Sequence, residues 1–125
     1  IEADLYFQLF VTAPLLSIQS INDCIKILKT KEQFDSVFTV KEIFSWFWYN
    51  NRPINYDPKE LPRSQDATPV VQETTGLYGI REDAVKLNNC RIGRNQFFYV
   101  VDAKESIDMD DEHDFVLLKS YLEMY

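Results

Sequence analysis

The N-terminal part of the chain places a strand-like run, an amphipathic run and a second strand-like run in succession, and this order constrains the fold most. Residues 5–11 are almost all apolar or aromatic, which is typical of a strand buried on both faces. Residues 21–28 have apolar side chains at helical spacing, and Ser17 or Ser20 is suited to cap that helix. Residues 36–40 form the second strand-like run. A strand, a helix and a strand in this order make a right-handed crossover, so the sequence predicts an α/β domain with a parallel sheet.

Two further strands are predicted in the second half of the chain. Residues 70–80 contain Gly76 and Gly79, and glycine inside a strand often marks close approach by a ligand or a neighbouring backbone. A short helix is predicted at 81–87 and a last strand at 96–101. The 125 residues suffice for one domain, but the chain enters a strand almost at once, so we expect it to be part of a longer fold.

Charge and cysteine usage argue against several classes of function. The net charge of −7 argues against binding a nucleic-acid polymer, which requires clustered Lys and Arg. No apolar run approaches the roughly 20 residues of a membrane span and no signal peptide is visible, so no membrane association is predicted. Cys24 and Cys90 lack metal-ligand spacing and fit reduced thiols of the cytoplasm.

Residues 43–62 interrupt the pattern of strands and helices with a dense group of aromatic side chains. Trp46, Trp48 and Tyr49 belong to this group, and two turn-rich stretches follow them. Aromatic residues at this density belong more often to a core or a subunit interface than to a ligand-stacking site. The segment is therefore predicted to be an excursion from the sheet.

Residues 106–114 are the strongest candidate for chemistry, because five of the nine are acidic. They follow the last predicted strand and lead into an amphipathic run, so they occupy a turn between a strand and a helix. If Ile107 and Met109 point inward, alternation places Asp108 and Asp110 together on the outward face. Two crowded carboxylates repel each other unless a cation lies between them, and their oxygen atoms suit Mg²⁺, Mn²⁺ or Ca²⁺.

The same acids also have a purely structural interpretation. Asp110 is suited to be the N-cap of the last helix, and Asp111, Glu112 and Asp114 would then lie in its first turn. Negative charge is favoured there by the helix dipole. The sequence alone leaves both interpretations open.

Four blocks in the same order resemble the acylneuraminate cytidylyltransferases, which make CMP-sialic acid, and their relatives that activate other 2-keto-3-deoxy sugar acids. Residues 9–16 (LFVTAPLL) are similar to the family's strand ending in a T-S/A-P-L loop, and residues 61–66 (LPRSQD) to its L-P-R-x-Q-D segment. Residues 73–78 (ETTGLY) resemble its E-x-x-G-x-Y strand, and residues 106–110 (SIDMD) its S-I-D-I-D metal motif. The resemblance extends over most of the chain.

This resemblance implies a Rossmann-like, three-layer nucleotidyltransferase domain, here incomplete, with a parallel or mixed sheet. It also implies a homodimer, for which residues 43–62 and 89–99 are candidate contact excursions. The reaction implied is transfer of CMP from CTP to a sialic-acid-like (nonulosonic) sugar acid, with release of pyrophosphate. Such an in-line displacement depends mostly on positioning and charge neutralisation.

The resemblance also implies roles for individual residues. Asp108 and Asp110 would bind Mg²⁺ (or Mn²⁺) and act catalytically. Arg63 would act with them and clamp a carboxylate or phosphate through two hydrogen bonds. Four more residues would line the sugar pocket, and two would lie near the nucleotide. The four are Gln65, Glu73, Thr75 and Tyr78, and the two are Thr12 and Pro14.

The chain departs from the family pattern in two respects. Phe10, Val11 and Leu16 stand where the family often has glutamine, proline and a basic residue, and no glycine-rich, Arg- and Lys-bearing loop of the type P-A-R-G-G-S-K is present. Because that loop cradles the triphosphate, we expect the 125 residues alone to bind CTP poorly and to be inactive. Two alternatives stay open: a non-catalytic α/β dimerisation module derived from such an enzyme, and a nucleotidyltransferase acting on another sugar.

Overall fold

A computed structural model describes residues 2–60 and 62–124. Leu61, which begins the LPRSQD block, lies outside the described residues, as do Ile1 and Tyr125 at the ends of the predicted domain. The elements in chain order are β1 (Leu5–Leu9), α1 (Ile18–Thr30), β2 (Ser36–Ile43), β3 (Trp48–Tyr49), β4 (Arg52–Pro53), a 3₁₀ turn (Ser64–Asp66), β5 (Val70–Arg81), α2 (Glu82–Asn88), β6 (Gln96–Val100) and α3 (Glu112–Glu123). None of the helices among these residues is long and apolar enough to cross a membrane.

The main sheet has four strands in the order β1-β5-β2-β6. The long strand β5 is antiparallel to both β1 and β2, whereas β2 and β6 are parallel. The sheet is therefore mixed rather than purely parallel, and β5 lies between the two strands that α1 connects. The mixed α/β arrangement is compatible with the predicted Rossmann-like three-layer fold, which stays a prediction.

Strand β1 differs from its prediction because it lies at one edge of this sheet. The sequence predicted a strand buried on both faces, but the side chains of β1 are only partly buried and Leu9 is 51% exposed. Its apolar run reflects contact on one face, where Leu5 and Phe7 pack on the main core. Phe7 also explains Gly79, since a Cβ atom there would overlap the Phe7 ring. The sequence suggested a ligand or a neighbouring backbone close to this glycine, but the close neighbour is the Phe7 side chain.

Helix α1 forms one side of the main core. Ser17 caps it by accepting a hydrogen bond from the backbone N–H of Ser20 at 3.0 Å, as the sequence allowed. One face of the helix then buries Cys24 and Leu28 completely against the sheet. Burial is the first cause of a raised pKa for the Cys24 thiol, about 12, so this cysteine stays protonated at neutral pH.

The opposite face of the sheet carries a stack of aromatic rings. Phe38 and Tyr78 stack with centroids 5.7 Å apart, and Phe10 meets the Tyr78 ring edge-on at 5.9 Å. Ile92, from the loop after α2, packs on the same cluster. The residues before β6 are held by Asp35, whose carboxylate accepts backbone hydrogen bonds from 94 and 95. The segment 89–99 therefore lies against its own sheet, and partner contact through it stays a prediction.

Residues 48–53 form a small hairpin away from the main sheet. Asn50 and Asn51 have φ angles of 51° and 63°, which a two-residue hairpin turn of this kind requires and asparagine tolerates. At the base of the hairpin, the Asn55 amide donates to the carbonyls of Ser45 and Thr68. The predicted excursion at 43–62 thus begins in β2 and contains a hairpin pinned at its base.

Strand β5 carries a bulge that the sequence did not reveal. Phe38 pairs with Tyr78 and Val40 with Glu73, so Thr39 alone faces residues 74–77. The buried Thr39 hydroxyl holds this bulge, because it lies 2.7 Å from the Thr74 hydroxyl and accepts the Leu77 N–H at 3.2 Å. Within the bulge Thr75 has a φ angle of 57°. A β-branched residue rarely adopts that conformation, which costs about 1–3 kcal/mol and often marks a functional site.

Replacing Thr39 by valine tests how the bulge is held. Thr39→Val keeps the side-chain volume but leaves the Leu77 N–H without its partner, so we expect the free energy of unfolding to fall by about 1–3 kcal/mol. Urea denaturation measures this. Thr30→Val is the matched control, because its hydroxyl bonds only to the Lys26 carbonyl on the exposed surface of α1, and it should change stability by less than about 0.5 kcal/mol. An equal, small effect of both substitutions would contradict the anchoring of the bulge by Thr39.

Candidate functional site

The bulge of β5, the loop before α3 and α3 itself enclose a cavity of about 470 Å³. Strand β5 contributes Glu73 and Thr75 to its lining, and the loop contributes Asp108 and Asp110. Helix α3 adds Leu117 and Tyr121, and β2 adds Lys41. The structure thus brings together four of the residues predicted for the site.

The loop brings both of its predicted acids to this cavity. Ile107 is buried, as predicted, and the backbone N–H of Met109 donates to the Thr12 carbonyl at 2.7 Å. Asp108 and Asp110 line the cavity, but Ile107 also lines it and Met109 is only half-buried, so the predicted inward–outward alternation is not clear-cut. Thr12 therefore contacts the acidic loop through its backbone, whereas Pro14 is exposed. A nucleotide contact by Thr12 or Pro14 stays a prediction.

The predicted N-cap of the last helix is wrong by one residue. Asp111 is the cap, because its backbone is extended and its carboxylate accepts the Asp114 N–H at 2.9 Å. Asp114 completes a capping box by accepting the backbone N–H groups of Asp110 and Asp111. These two acids satisfy the start of α3, so the Asp110 carboxylate is not needed there and remains directed to the cavity.

Asp108 and Asp110 lie close enough to share a hydrogen bond, and they interact unfavourably when both are ionised. The negative charge of Asp108 is the first cause of a raised pKa for Asp110, followed by partial desolvation. Oδ1 of Asp108 is buried and has no hydrogen-bond partner. Neither carboxylate forms an ion pair within the described part of the chain. Unrelieved repulsion beside an unpartnered oxygen is the pattern expected where a cation binds.

Two carboxylates suit a magnesium ion, which keeps water and phosphate ligands, better than a metal ion whose ligands all come from the protein. No group of three or more His, Cys, Asp or Glu side chains arranged to hold a metal occurs in residues 2–60 and 62–124. Mg²⁺ is usually held by one or two carboxylates, and water and substrate phosphates complete its octahedral shell. The unpartnered oxygen of Asp108 and the open cavity beside Asp110 match that donor set.

Glu73 is positioned by Tyr78. The Tyr78 hydroxyl donates to Oε1 of Glu73 at 2.8 Å. Burial is the first cause of a raised pKa for Tyr78 and the bond to Glu73 is the second, so the phenol keeps its proton. Of the predicted sugar-binding residues, Glu73 and Thr75 line the cavity and Tyr78 supports them from behind.

Arg63 and Gln65 are not among the residues lining this cavity. Arg63 is largely exposed and its Nε donates to Asp66 at 3.0 Å, within the same short turn. Gln65 lies on that turn and is exposed. The cation that the cavity does contain is Lys41. Strand alternation from the buried Thr39 places Lys41 on the same face, and this was the signal that sequence reasoning missed.

Glu105 ties the acidic loop to helix α1 and was also missed. Its Oε1 accepts hydrogen bonds from the Ser17 backbone N–H at 2.8 Å and from the Ser20 hydroxyl at 2.7 Å. Burial opposes ionisation of Glu105, but the hydrogen bonds from Ser17 and Ser20 outweigh it and keep its pKa below the ordinary value. A carboxylate at a helix N-terminus is electrostatically favoured. This contact fixes the loop three residues before Asp108.

Comparison with known proteins gives one weak likeness. No family model matches the chain. The N-acylneuraminate cytidylyltransferase A of Danio rerio is 23% identical over 121 residues, which cover 90% of this chain and 28% of that protein. The chain thus spans little more than a quarter of the length of this relative. The likeness suggests a cytidylyltransferase-like protein at most, in agreement with the motifs.

Replacing Asp110 by asparagine should change stability and metal binding in opposite directions. Asp110→Asn removes the repulsion from Asp108, so the metal-free chain should melt at a higher temperature near neutral pH. It also removes a ligand, so Mg²⁺ affinity measured by calorimetry should fall by at least about tenfold. In the parent chain, Mg²⁺ affinity should fall as pH drops through the raised pKa of Asp110, because the proton competes with the metal.

Glu32→Gln is the control for this prediction, since it removes the same charge from an exposed residue remote from the cavity lining. It should leave Mg²⁺ affinity unchanged. Equal affinity of Asp110→Asn and the parent chain for Mg²⁺ would reduce Asp110 to a solvated surface acid.

Proposed function

We propose that the chain is the metal-binding and sugar-acid-binding part of a nucleotidyltransferase. The reaction would transfer CMP from CTP to a sialic-acid-like 2-keto-3-deoxy sugar acid and release pyrophosphate. The observation that carries this proposal is the convergence of Asp108, with its unpartnered oxygen, and Asp110 with Glu73 and Thr75 in one cavity. The likeness to a cytidylyltransferase over 90% of the chain supports it.

In this proposal Asp108 and Asp110 hold Mg²⁺ (or Mn²⁺). When bound, the ion supplies charge neutralisation at phosphate and lowers the pKa of an attacking hydroxyl. Asp108 would offer its buried oxygen, and the cation would relieve the repulsion between Asp108 and Asp110 that raises the pKa of Asp110. Lys41 places one positive charge at the cavity, suited to the carboxylate of a sugar acid or to a phosphate.

Glu73 and Thr75 would orient the sugar. Since the Tyr78 hydroxyl already donates to Oε1 of Glu73, the other carboxylate oxygen is available to accept a hydrogen bond from a sugar hydroxyl. The strained backbone of Thr75 holds its side chain at the cavity wall. Such fixed polar groups select a ligand by shape and hydroxyl position. The clamping role of Arg63 and the sugar-pocket role of Gln65 remain predictions. Both require the Ser64–Asp66 turn and the adjoining Arg63 to contact the substrate from outside this cavity.

A binding experiment distinguishes the proposal from its alternatives. We expect N-acetylneuraminate to bind the 125-residue chain saturably in the presence of Mg²⁺, as followed by NMR, whereas CTP should bind poorly because the sequence lacks a glycine-rich phosphate loop. No pyrophosphate should be released from CTP by this chain alone. Thr75→Val should weaken sugar binding by at least about tenfold through loss of a hydroxyl at the cavity wall.

Thr68→Val is the matched control for that substitution, because Thr68 is exposed and does not line the cavity. Failure of the chain to bind any sugar acid would favour the non-catalytic dimerisation module. Binding of a different sugar or a sugar phosphate, with N-acetylneuraminate excluded, would favour the alternative nucleotidyltransferase. Tight binding of CTP would overturn the expected inactivity of the chain.

The hairpin offers the surface for the proposed homodimer. Trp48 and Tyr49 are 56% and 69% exposed, and Ile54 lies exposed beside them. Arg52 is the one charged residue between 44 and 56, so this surface lacks the negative charge that would repel a second copy elsewhere on an acidic chain. Exposed aromatic residues at such a surface are typical anchors of an interface.

Substitutions on the hairpin test this dimer. Trp48→Ser with Tyr49→Ser removes exposed side chains without emptying the core, so the chain should stay folded. Its self-association, measured by sedimentation equilibrium, should weaken by at least about tenfold. Val11→Ser serves as a control, since Val11 is an apolar residue outside the hairpin that is 95% exposed. A parent chain that stays monomeric, or a dimer indifferent to the hairpin change, would contradict the proposal.

A further inference from the structure

A second cavity of about 530 Å³ lies on the aromatic face of the sheet, between β1, β5 and the loop after α2. Its walls are mostly aromatic and aliphatic, and include Tyr6, Tyr78, Ile80 and Val85. The charged residue of its lining is Arg91. No residue lines both this cavity and the acidic one. The site is therefore separate from the proposed metal centre.

Arg91 is exposed, and its guanidinium stacks on aromatic rings at the edge of the cavity. Its guanidinium carbon lies 3.9 Å from the centroid of the Tyr78 ring and 5.5 Å from that of Phe10. Tyr78 in turn stacks on Phe38, so the guanidinium continues a column of rings rooted in the core. A guanidinium held by its face keeps its N–H donors free around its edge, and the stack has already restricted its rotamers.

The donors of Arg91 are mostly unused. It makes one hydrogen bond, from Nη1 to Oε1 of Gln8 at 3.3 Å, and no ion pair within the described residues. An arginine offers several donors in a planar fork that matches a carboxylate. The chain has an excess of acidic residues, yet no acid in residues 2–60 and 62–124 pairs with this cation. An arginine without a carboxylate partner, beside an apolar cavity, is arranged for an anion that comes from outside.

We propose that this cavity is a binding site for a small carboxylate with a flat apolar body. The carboxylate would accept hydrogen bonds from the edge of the Arg91 guanidinium, and the apolar body would lie against Tyr6 and Ile80. Gln8 sits beside the guanidinium and supplies a neutral polar neighbour. The site goes beyond the proposed transferase reaction, because it shares neither ligands nor lining residues with the metal centre.

Benzoate is the probe for this site. Titrated into the ¹⁵N-labelled chain, it should shift the Arg91 Nε–H resonance saturably with a Kd on the order of 1 mM. Arg91→Lys keeps the charge and the apolar stem but loses the planar fork, so it should weaken benzoate binding by about tenfold or more. Arg94→Lys is the matched control on the same loop, since Arg94 bonds instead to Asn88, and it should bind as the parent chain does.

Two further ligands separate the chemical contributions. Benzamide has the same ring without the charge, and inorganic phosphate has charge without an apolar body, so both should bind at least about tenfold more weakly than benzoate. Benzoate binding should survive Asp110→Asn, which keeps this test independent of the metal centre. A thermal melt verifies that each variant folds.

Three results would overturn the proposal. The first is the absence of a saturable shift at Arg91. The second is equal binding of benzoate by Arg91→Lys and the parent chain. The third is binding of benzamide or phosphate as tight as that of benzoate.

Discussion

The buried hydroxyl of Thr39 is the interaction on which the site depends. It holds the bulge that interrupts the pairing of β2 with β5, by contact with the Thr74 hydroxyl and the Leu77 N–H. The bulge gives Thr75 its left-handed backbone and carries Glu73 to the cavity wall. It also frees the Gly76 carbonyl to accept the Phe10 N–H at 3.1 Å, which directs the chain out of β1. A single buried hydroxyl thus determines the shape of the β5 bulge and the direction in which the chain leaves β1, and both segments lie next to the acidic loop.

The acidic segment holds more carboxylates than the capping of α3 requires. Capping alone requires Asp111 and Asp114, which satisfy the first backbone N–H groups of α3 by themselves. Asp108 and Asp110 add two further carboxylates, and the charge of one raises the pKa of the other. Glu105 fixes the same loop through Ser17 and Ser20, so the two carboxylates cannot easily move apart. A fold that holds like charges together gives up stability that a bound cation restores.

Sequence patterns predicted what is local and missed what depends on neighbours. The α/β class and the inward position of Ile107 followed from periodicity. Capping preferences narrowed the N-cap of α1 to Ser17 or Ser20, and the structure has Ser17 there. The insertion of the antiparallel β5 between β1 and β2 could not be read, because a strand's own residues do not specify which strands flank it. The choice of Asp111 over Asp110 as N-cap depended on a reciprocal bond to Asp114, which the three consecutive acids at 110–112 leave ambiguous. The separation of Arg63 from the cavity lining depends on how distant segments fold together, so motif spacing could not predict it.

Tyr78 shows how one side chain serves two cavities with different chemistry. Its ring forms the platform for Arg91 in the apolar cavity, and its hydroxyl donates to Glu73 at the acidic one. Since burial and the bond to Glu73 raise the pKa of Tyr78, its one proton stays committed to that carboxylate. Glu73 is then fixed as an acceptor, with its remaining oxygen making no hydrogen bond to the described residues. The position of the Tyr78 ring in the aromatic stack therefore determines which oxygen of Glu73 the acidic cavity can offer to a ligand.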